Sequence, residues 1–171
     1  LAVNATQVDG KVWIKNSDET NIYRLDVATG KFEDLGNQTD PFNSRRIGTY
    51  GIHADSQNNA YLLDFSSNNI VRIDAKTKAL KFYKTPTEMS RPRRGRVDAQ
   101  DRVWFAEYGA NAIGMLDPKS GMITEWKVPT PWSAPYDALV DKHGPSIRLA
   151  VATSASPAVV DRCSTAGLKL F

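Results

Sequence analysis

Hydrophobic and polar residues alternate along short runs of this chain, and turn-forming residues separate the runs. In one run, Val103 and Phe105 alternate with Trp104 and Ala106. An alternation with a period of two residues is typical of a β-strand. No stretch of the sequence has a sustained apolar pattern with a helical period. The pattern therefore predicts an all-β protein.

One segment of the chain occurs three times without a gap. Each copy has an aromatic residue, an isoleucine nine residues later and an aspartate four residues after that. The copies are 9–35, 57–83 and 100–126, with aromatic residues Trp13, Tyr61 and Trp104 and aspartates Asp26, Asp74 and Asp117. The aromatic residues lie 48 and then 43 residues apart. A period of about 40–50 residues that contains turn chemistry is typical of β-propellers.

Each full repeat contains four strand-like runs, which together form one propeller blade of antiparallel strands. In the third repeat these runs are about 93–98, 103–108, 113–117 and 122–127. We predict three to four blades, with repeats near 9–35, 49–83 and 92–126 and a fourth that starts at 135. The recurring aromatic residues are predicted to pack between sheets, and the recurring aspartates to cap backbone amides in turns.

The blade also predicts which loops lie together. If the chain enters each blade on the inner strand, the loops after the second and fourth strands share one rim. The inter-blade loops 36–49, 84–92 and 127–135 belong to this rim. Because binding residues are often on loops held by a rigid scaffold, we expect the functional residues there.

The repeat stops after residue 144. The expected aromatic, asparagine and aspartate residues are replaced by Ile147, Ser154 and Val160. We therefore divide the chain into propeller blades over 1–144 and an atypical tail over 145–171, which is either a non-homologous end or a diverged last blade. Three blades and part of a fourth do not close a ring, so we expect self-association through exposed blade edges.

The composition is that of an ordinary globular protein, with 41% hydrophobic and 24% charged residues. No apolar run approaches the length of a membrane-spanning helix. The single cysteine, Cys163, excludes an intrachain disulfide. Residues 1–8 lack a start methionine and signal-peptide features, as expected of the interior of a longer chain or of a processed N-terminus. We predict a periplasmic or secreted protein, with a cytoplasmic one as the alternative.

Positive charge is clustered on the predicted rim, although the net charge is only +3. The candidate ligand-binding arginines are Arg45, Arg46, Arg91, Arg93 and Arg94. Guanidinium groups bind carboxylates and phosphates, so one interpretation is a site for an anionic or peptide ligand. The other is a solvated loop. The sequence has no basic helix and no aromatic stacking platform among these arginines, so we expect no nucleic-acid partner.

Three aromatic side chains are further ligand-binding candidates on this rim: Tyr108, Trp132 and Tyr136. Trp132 lies in the inter-blade loop PTPWSAP. It is a candidate for contact with an apolar or aromatic group, with simple packing as the alternative.

The third repeat and the start of the fourth contain a series of short motifs. They are Val103–Glu107, Asn111–Gly114, Ile123–Trp126, Pro129–Pro131 and Ala134–Tyr136. These motifs resemble the blade repeats of the bacterial streptogramin lyase (virginiamycin B lyase) family, and the resemblance covers roughly 9–144. It implies a seven-bladed propeller. It also implies elimination chemistry that opens a cyclic depsipeptide antibiotic, in which a base removes a proton α to a carbonyl and Mg²⁺ stabilises the developing charge.

The histidine pattern of that family is not matched. Where the family has catalytic histidines, directly after the residue that opens an inner strand, this sequence has Tyr50, Arg93 and Tyr136. His53 is the candidate base, with a core or channel-lining role as its alternative. Glu107 is the candidate acid/base or metal partner, although we interpret it first as a structural group that closes a hydrogen bond at the blade edge.

Oxygen ligands recur at one position of the repeat. Asp64 and Glu107 follow the second strands of their blades, and Asn16 is equivalent. Carboxylate and amide oxygens suit Mg²⁺, so Asp64 and Glu107 are candidate metal ligands. Turn chemistry alone also places one oxygen ligand in each blade. Two functions remain open: a lyase, and a non-catalytic binding or sensor module for an anionic or peptide ligand.

Overall fold

The computed structural model describes residues 6–16, 18, 21–140 and 149–153. Within these ranges the chain forms one helical turn, α1 (Thr6–Asp9), and thirteen strands. The strands are β1 (Lys11–Lys15), β2 (Asn21–Asp26), β3 (Phe32–Asn37), β4 (Thr49–Ala54), β5 (Ala60–Asp64), β6 (Asn69–Ile73), β7 (Leu80–Lys84), β8 (Pro92–Val97), β9 (Val103–Glu107), β10 (Ala112–Asp117), β11 (Met122–Lys127), β12 (Pro135–Val140) and β13 (Leu149–Thr153).

Every sheet is antiparallel and is built from consecutive strands. Two sheets have four strands, in the orders β4-β5-β6-β7 and β8-β9-β10-β11. A three-stranded sheet, β1-β2-β3, precedes them, and the pair β12-β13 follows them. The strands confirm the prediction of an all-β propeller with four-stranded antiparallel blades. Within the described residues, no helix is long and apolar enough to cross a bilayer.

The inner strands lie side by side at the centre of the molecule. β8 packs against β4 on one side and β12 on the other. The first sheet has no strand equivalent to β4 among the described residues, and its β1 contacts β4. The inner strands therefore share one central surface.

The core is formed between successive sheets. Trp13 packs among residues of the second sheet, including Ile52 and Leu62, and its indole nitrogen donates to the carbonyl oxygen of Asn58 over 2.9 Å. Tyr61 packs in the same way with Val103 and with other residues of the third sheet. The prediction that the repeated aromatic residues pack between sheets is confirmed for these two positions. Trp104 instead stacks on Trp126 of its own sheet, with ring centroids 5.5 Å apart.

The repeated aspartates cap turns, as predicted. Asp26 accepts from the amide of Thr29, Asp74 from the amides of Lys76 and Thr77, and Asp117 from the amide of Lys119. These amide donors hold the pKa of Asp74 near 2, because the hydrogen bonds stabilise the carboxylate. Each of the first three sheets therefore carries an aspartate cap in the turn before its last strand.

Part of the predicted tail forms structure. β13, which falls within 145–171, pairs antiparallel with β12. The three positions at which the repeat fails lie outside the described residues: Ile147, Ser154 and Val160. His143 and Cys163 also lie outside them. The division at residue 144 and the origin of the tail therefore remain predictions.

Candidate functional site

The inter-blade loops meet the ends of the second strands on one rim, as the strand order predicts. The amide of Phe65 donates to Gly48, that of Gly109 to Ser90 and that of Val128 to Asn111. These backbone hydrogen bonds are 2.8 to 2.9 Å long. The loops that carry Arg45, Arg46, Arg91, Tyr108 and Trp132 are therefore fixed to the blades. Arg93, Arg94 and Tyr136, which we expected with these loops, lie instead at the start of the inner strands β8 and β12.

A cavity of about 260 Å³ lies against the inner strands. We call it the inner-strand cavity. Its lining residues come from β1, β4, β8 and β12: Lys15, Tyr50, Gly51, Ile52, His53, Arg94, Arg96 and Asp137. Residues from four sheets therefore surround one space.

Positive charge predominates around the inner-strand cavity. Among the described lining residues, Lys15, Arg94 and Arg96 accompany one carboxyl group, that of Asp137. Arg96 Nη1 lies 3.5 Å from Asp137 Oδ1. Burial raises the pKa of Asp137 even though Arg96 favours its ionised form. The cavity is thus suited to a ligand with negative charge.

His53, the candidate base, lines this cavity as a neutral imidazole. Burial lowers its pKa to about 3, and the nearby Arg96 and Arg94 guanidinium groups add to the effect. Its Nε2 atom is buried and has no hydrogen-bond partner among the described residues. His53 therefore has the channel-lining position that we gave as the alternative to its role as a base.

Arg93 is held in an aromatic cluster above this cavity, which we call the Arg93 cage. Its guanidinium carbon lies 3.8, 4.5, 5.0 and 5.2 Å from the ring centroids of Tyr136, Tyr50, Tyr108 and Phe65. Arg93 Nη2 donates to Tyr50 Oη over 3.0 Å, and the hydroxyls of Tyr50 and Tyr136 hydrogen bond at 2.7 Å. The hydrogen bond from Tyr136 lowers the pKa of Tyr50.

The other arginines are divided between two environments. Arg91 stacks on Phe65 at 4.1 Å, and its Nε donates to the Phe65 carbonyl. Arg45 and Arg46 are exposed in the loop between the first two sheets. Trp132 is 93% exposed in the loop before β12. The candidate ligand residues thus lie in three places: the inner-strand cavity, the Arg93 cage and the exposed loops.

The two candidate metal ligands have opposite surroundings. Asp64 Oδ1 accepts from the amides of Gly48 and Ser66, and the hydroxyls of Ser66 and Ser67 also donate to this carboxylate. Glu107 is fully buried, and neither of its carboxyl oxygens has a hydrogen-bond partner among the described residues. The structural hydrogen bond that we expected for Glu107 is therefore not formed with a described residue.

Burial raises the pKa of Glu107 to about 8, and the nearby carboxyl group of Glu125 adds to this effect. The described part of the chain contains no group of three or more His, Cys, Asp or Glu side chains that could hold a metal ion. The assignment of Asp64 and Glu107 to a Mg²⁺ site therefore stays a prediction.

Several residues of these sites were not among the sequence candidates, including Lys15, Tyr50, Phe65, Arg96 and Asp137. Asp137 lies two residues into an inner strand, as Arg94 does in the preceding one. The repeat alignment therefore contained the signal for Asp137. Lys15 and Phe65 reach their places through packing between blades, for which the sequence has no local signal.

The solved structures that resemble this chain include lyases of the expected type. Virginiamycin B lyase from Staphylococcus aureus is 27% identical, with a TM-score of 0.68, over 84% of this chain and 45% of that one. A catalytically inactive histidine-to-alanine variant of that lyase with quinupristin is also 27% identical, with a TM-score of 0.68, over 85% of this chain and 46% of that one. YCF48 bound to the D1 peptide shares the fold at 13% identity and a TM-score of 0.57, over 84% of this chain and 44% of that one.

The chain is a streptogramin-lyase-like β-propeller, and it spans about half the length of the lyase structures that it matches. No protein-family model and no curated protein matches the sequence.

Proposed function

We propose that this protein is a propeller binding module and that the inner-strand cavity holds a small anionic ligand with a carboxylate or phosphate group. One observation supports this proposal above the others. Three cationic side chains, Lys15, Arg94 and Arg96, line a cavity to which the described residues contribute one carboxyl group. Burial lowers the local dielectric constant and strengthens the attraction between these cations and an anion. Because His53 is neutral, it neither adds to this attraction nor opposes it.

The chemistry of His53 favours binding over proton abstraction. A general base works best when the pKa of its conjugate acid lies near the working pH. With a pKa of about 3, His53 has little tendency to take up a proton at neutral pH. The cavity therefore offers charge complementarity and no strong base.

Isothermal titration calorimetry with inorganic phosphate and with citrate tests this proposal. We expect saturable binding of at least one of these probes that weakens with salt, and a loss of about tenfold or more in Arg94→Gln. Arg45→Gln removes the same charge from an exposed loop and serves as the control. An absence of binding, or equal binding by Arg94→Gln and the wild type, would overturn the proposal.

A second candidate, depsipeptide lyase activity, rests on the 27% identity to virginiamycin B lyase and on the presence of His53 in the cavity. In this candidate His53 acts as the base, Glu107 as the acid/base partner and Mg²⁺ as the required ion. Glu107 has the raised pKa of a group that exchanges protons near neutrality.

Incubation with quinupristin, with added Mg²⁺ or with a chelator, tests the lyase candidate. Elimination gives a linear product of unchanged mass with a shifted chromatographic retention, whereas hydrolysis adds one water. The candidate requires a Mg²⁺-dependent product that His53→Ala abolishes and that His143→Ala retains. Full activity in His53→Ala would remove His53 from the role of base.

A further inference from the structure

Three successive inter-blade loops each present a large apolar side chain to solvent. Phe42 is 76% exposed, Met89 54% and Trp132 93%. All three lie on the rim where the inter-blade loops join the blades, and none of them lines the inner-strand cavity. We call these three side chains the apolar crest.

The exposure of Trp132 is built into its loop. Asn111 Nδ2 donates to the carbonyl oxygen of Thr130, and Asn111 Oδ1 accepts from the hydroxyl of Ser133 and the amide of Ala134. Ser133 is buried, and Trp132 and Ala134 on either side of it have positive φ angles of 60° and 43°. A left-handed backbone at a bulky residue is unfavourable by roughly 1–2 kcal/mol. The loop thus maintains a strained conformation that keeps the indole out of the core.

The same arrangement occurs one repeat earlier. Met89 has a φ of 50° and Arg91 a φ of 54°, and Ser90 between them is buried. The hydroxyl of Ser90 hydrogen bonds with that of Thr85 over 2.7 Å. The amide of Thr87 donates to Glu125 in the outer strand of the next sheet. Two loops of equivalent design therefore display an apolar side chain from a fixed backbone.

The charged residues near the apolar crest indicate which kind of partner it binds. Arg45 and Arg46 are exposed close to Phe42 in the chain, and among the described residues neither side chain has an ion-pair partner. A partner with carboxylates could pair with both. Trp132 itself lies between Pro131 and Ser133 with no basic residue within three positions, and Glu88 directly precedes Met89. Apolar loops that enter anionic bilayers combine their apolar residues with adjacent basic ones, so the surroundings of Trp132, the most exposed of the three side chains, favour a polypeptide.

We propose that the apolar crest is a docking surface for an acidic polypeptide segment with at least one large apolar side chain, and that Trp132 is its anchor. Tryptophan and arginine are the residues that most often dominate the binding energy of protein interfaces. A backbone that is already fixed lowers the entropy lost on binding. The surface extends the function beyond the small anion held in the inner-strand cavity.

A displayed library of random dodecapeptides, selected on the wild-type protein, tests this proposal. We expect the enriched peptides to be acidic and to contain an aromatic or leucine residue. Their binding should weaken about tenfold or more in Trp132→Ala and should lose much of its salt dependence in the double variant Arg45→Gln, Arg46→Gln. Phe32→Ala, which removes an exposed aromatic residue of β3, is the matched control and should bind as the wild type does.

Three results would overturn the proposal. The first is enrichment of peptides that bind Trp132→Ala and the wild type equally, and the second is a failure to enrich any peptide. The third is sedimentation with phosphatidylcholine–phosphatidylglycerol vesicles that Trp132→Ala abolishes, which would assign the apolar crest to a bilayer. Because Trp132 is exposed, circular dichroism of Trp132→Ala should match the wild type, so loss of binding reports on the surface and not on folding.

Discussion

At the scale of single residues, equivalent positions of the repeat have acquired different chemistry. Asp64 and Glu107 both end the second strand of a blade. Asp64 is followed closely by Ser66 and Ser67, whose hydroxyls donate to its carboxylate. Glu107 is followed by Gly109 and Ala110, which have no side-chain donors. One carboxylate is stabilised as an anion, and the other is buried without a described partner.

The buried carboxyl of Glu107 makes stability depend on pH. Its pKa rises from an ordinary value of 4.5 to about 8 in the folded protein, so the folded state retains a proton that the unfolded state loses. Stability therefore falls as the pH rises from about 4.5 to 8 and is constant with respect to this group above that range. Glu107→Gln, which is neutral at all pH values, should be more stable than the wild type at pH 8 by a few kcal/mol.

Urea unfolding at pH 5 and pH 8 measures this effect. Glu107→Gln should abolish most of the difference between the two midpoints, whereas Glu88→Gln, at an exposed position, should retain it. An unchanged pH dependence in Glu107→Gln would mean that the group ionises normally in the folded protein.

The sequence was sufficient to identify Asp64 and Glu107 as equivalent positions of the repeat. It was not sufficient to predict that the two carboxyl groups would differ in hydrogen bonding and in pKa. Neighbouring serines explain Asp64 and are visible in the sequence. The raised pKa of Glu107 depends first on burial and then on Glu125, which the β10–β11 hairpin brings close from a different strand. The cage around Arg93 was likewise invisible, because its rings come from three sheets.

At the scale of strands, the fold requires glycine at two positions for two different reasons. A Cβ atom at Gly95 of β8 would lie 1.9 Å from the carbonyl oxygen of Trp104 in the paired strand. Gly30 lies in a turn with a φ of 70° and has no atom within 4 Å of such a Cβ. The first glycine is required by close approach of two backbones, and the second by conformation alone.

We expect Gly95→Ala to destabilise the fold by about 3 kcal/mol or more, because β8 and β9 must separate. Gly30→Ala should destabilise it by about 1 kcal/mol, since the strain is confined to one residue. Chemical unfolding of both variants gives the comparison. Equal losses would show that β8 moves freely enough to accommodate a methyl group.

The strands themselves were the most predictable feature. The runs about 103–108 and 122–127 agree with β9 and β11 to within a residue, because alternation and turn residues act locally. α1 and β13 were not predicted. β13 forms through its pairing with β12, and the repeat pattern is absent from the segment in which it lies.

At the scale of the whole molecule, the Arg93 cage joins three blades. Tyr50 belongs to the second sheet, Tyr108 follows β9 of the third, and Tyr136 lies in β12 of the fourth. The guanidinium group of Arg93, on the inner strand β8, therefore contacts aromatic rings from the inner strands on both sides of it, β4 and β12. We therefore expect the fourth sheet, which has two described strands, to be stabilised by this contact.

Arg93→Lys keeps the charge but removes the planar group that stacks on these rings. We expect a stability loss of roughly 1–2 kcal/mol and faster hydrogen exchange in Pro135–Val140. Arg45→Lys, at an exposed position, is the control. Unchanged exchange in β12 would show that the fourth sheet is held by its other contacts with β8.

The connectivity of the sheets has a consequence for how the molecule assembles. Each of the two four-stranded sheets is a series of neighbouring strands joined by short turns, so its pairing requires little loop closure. Such sheets can form one after another while the chain leaves the ribosome. The hydrogen bond between Tyr50 and Tyr136 spans 86 positions of the sequence. It forms only after the start of β12 has been synthesised, so a nascent chain shorter than this should hold folded blades that are not yet locked together.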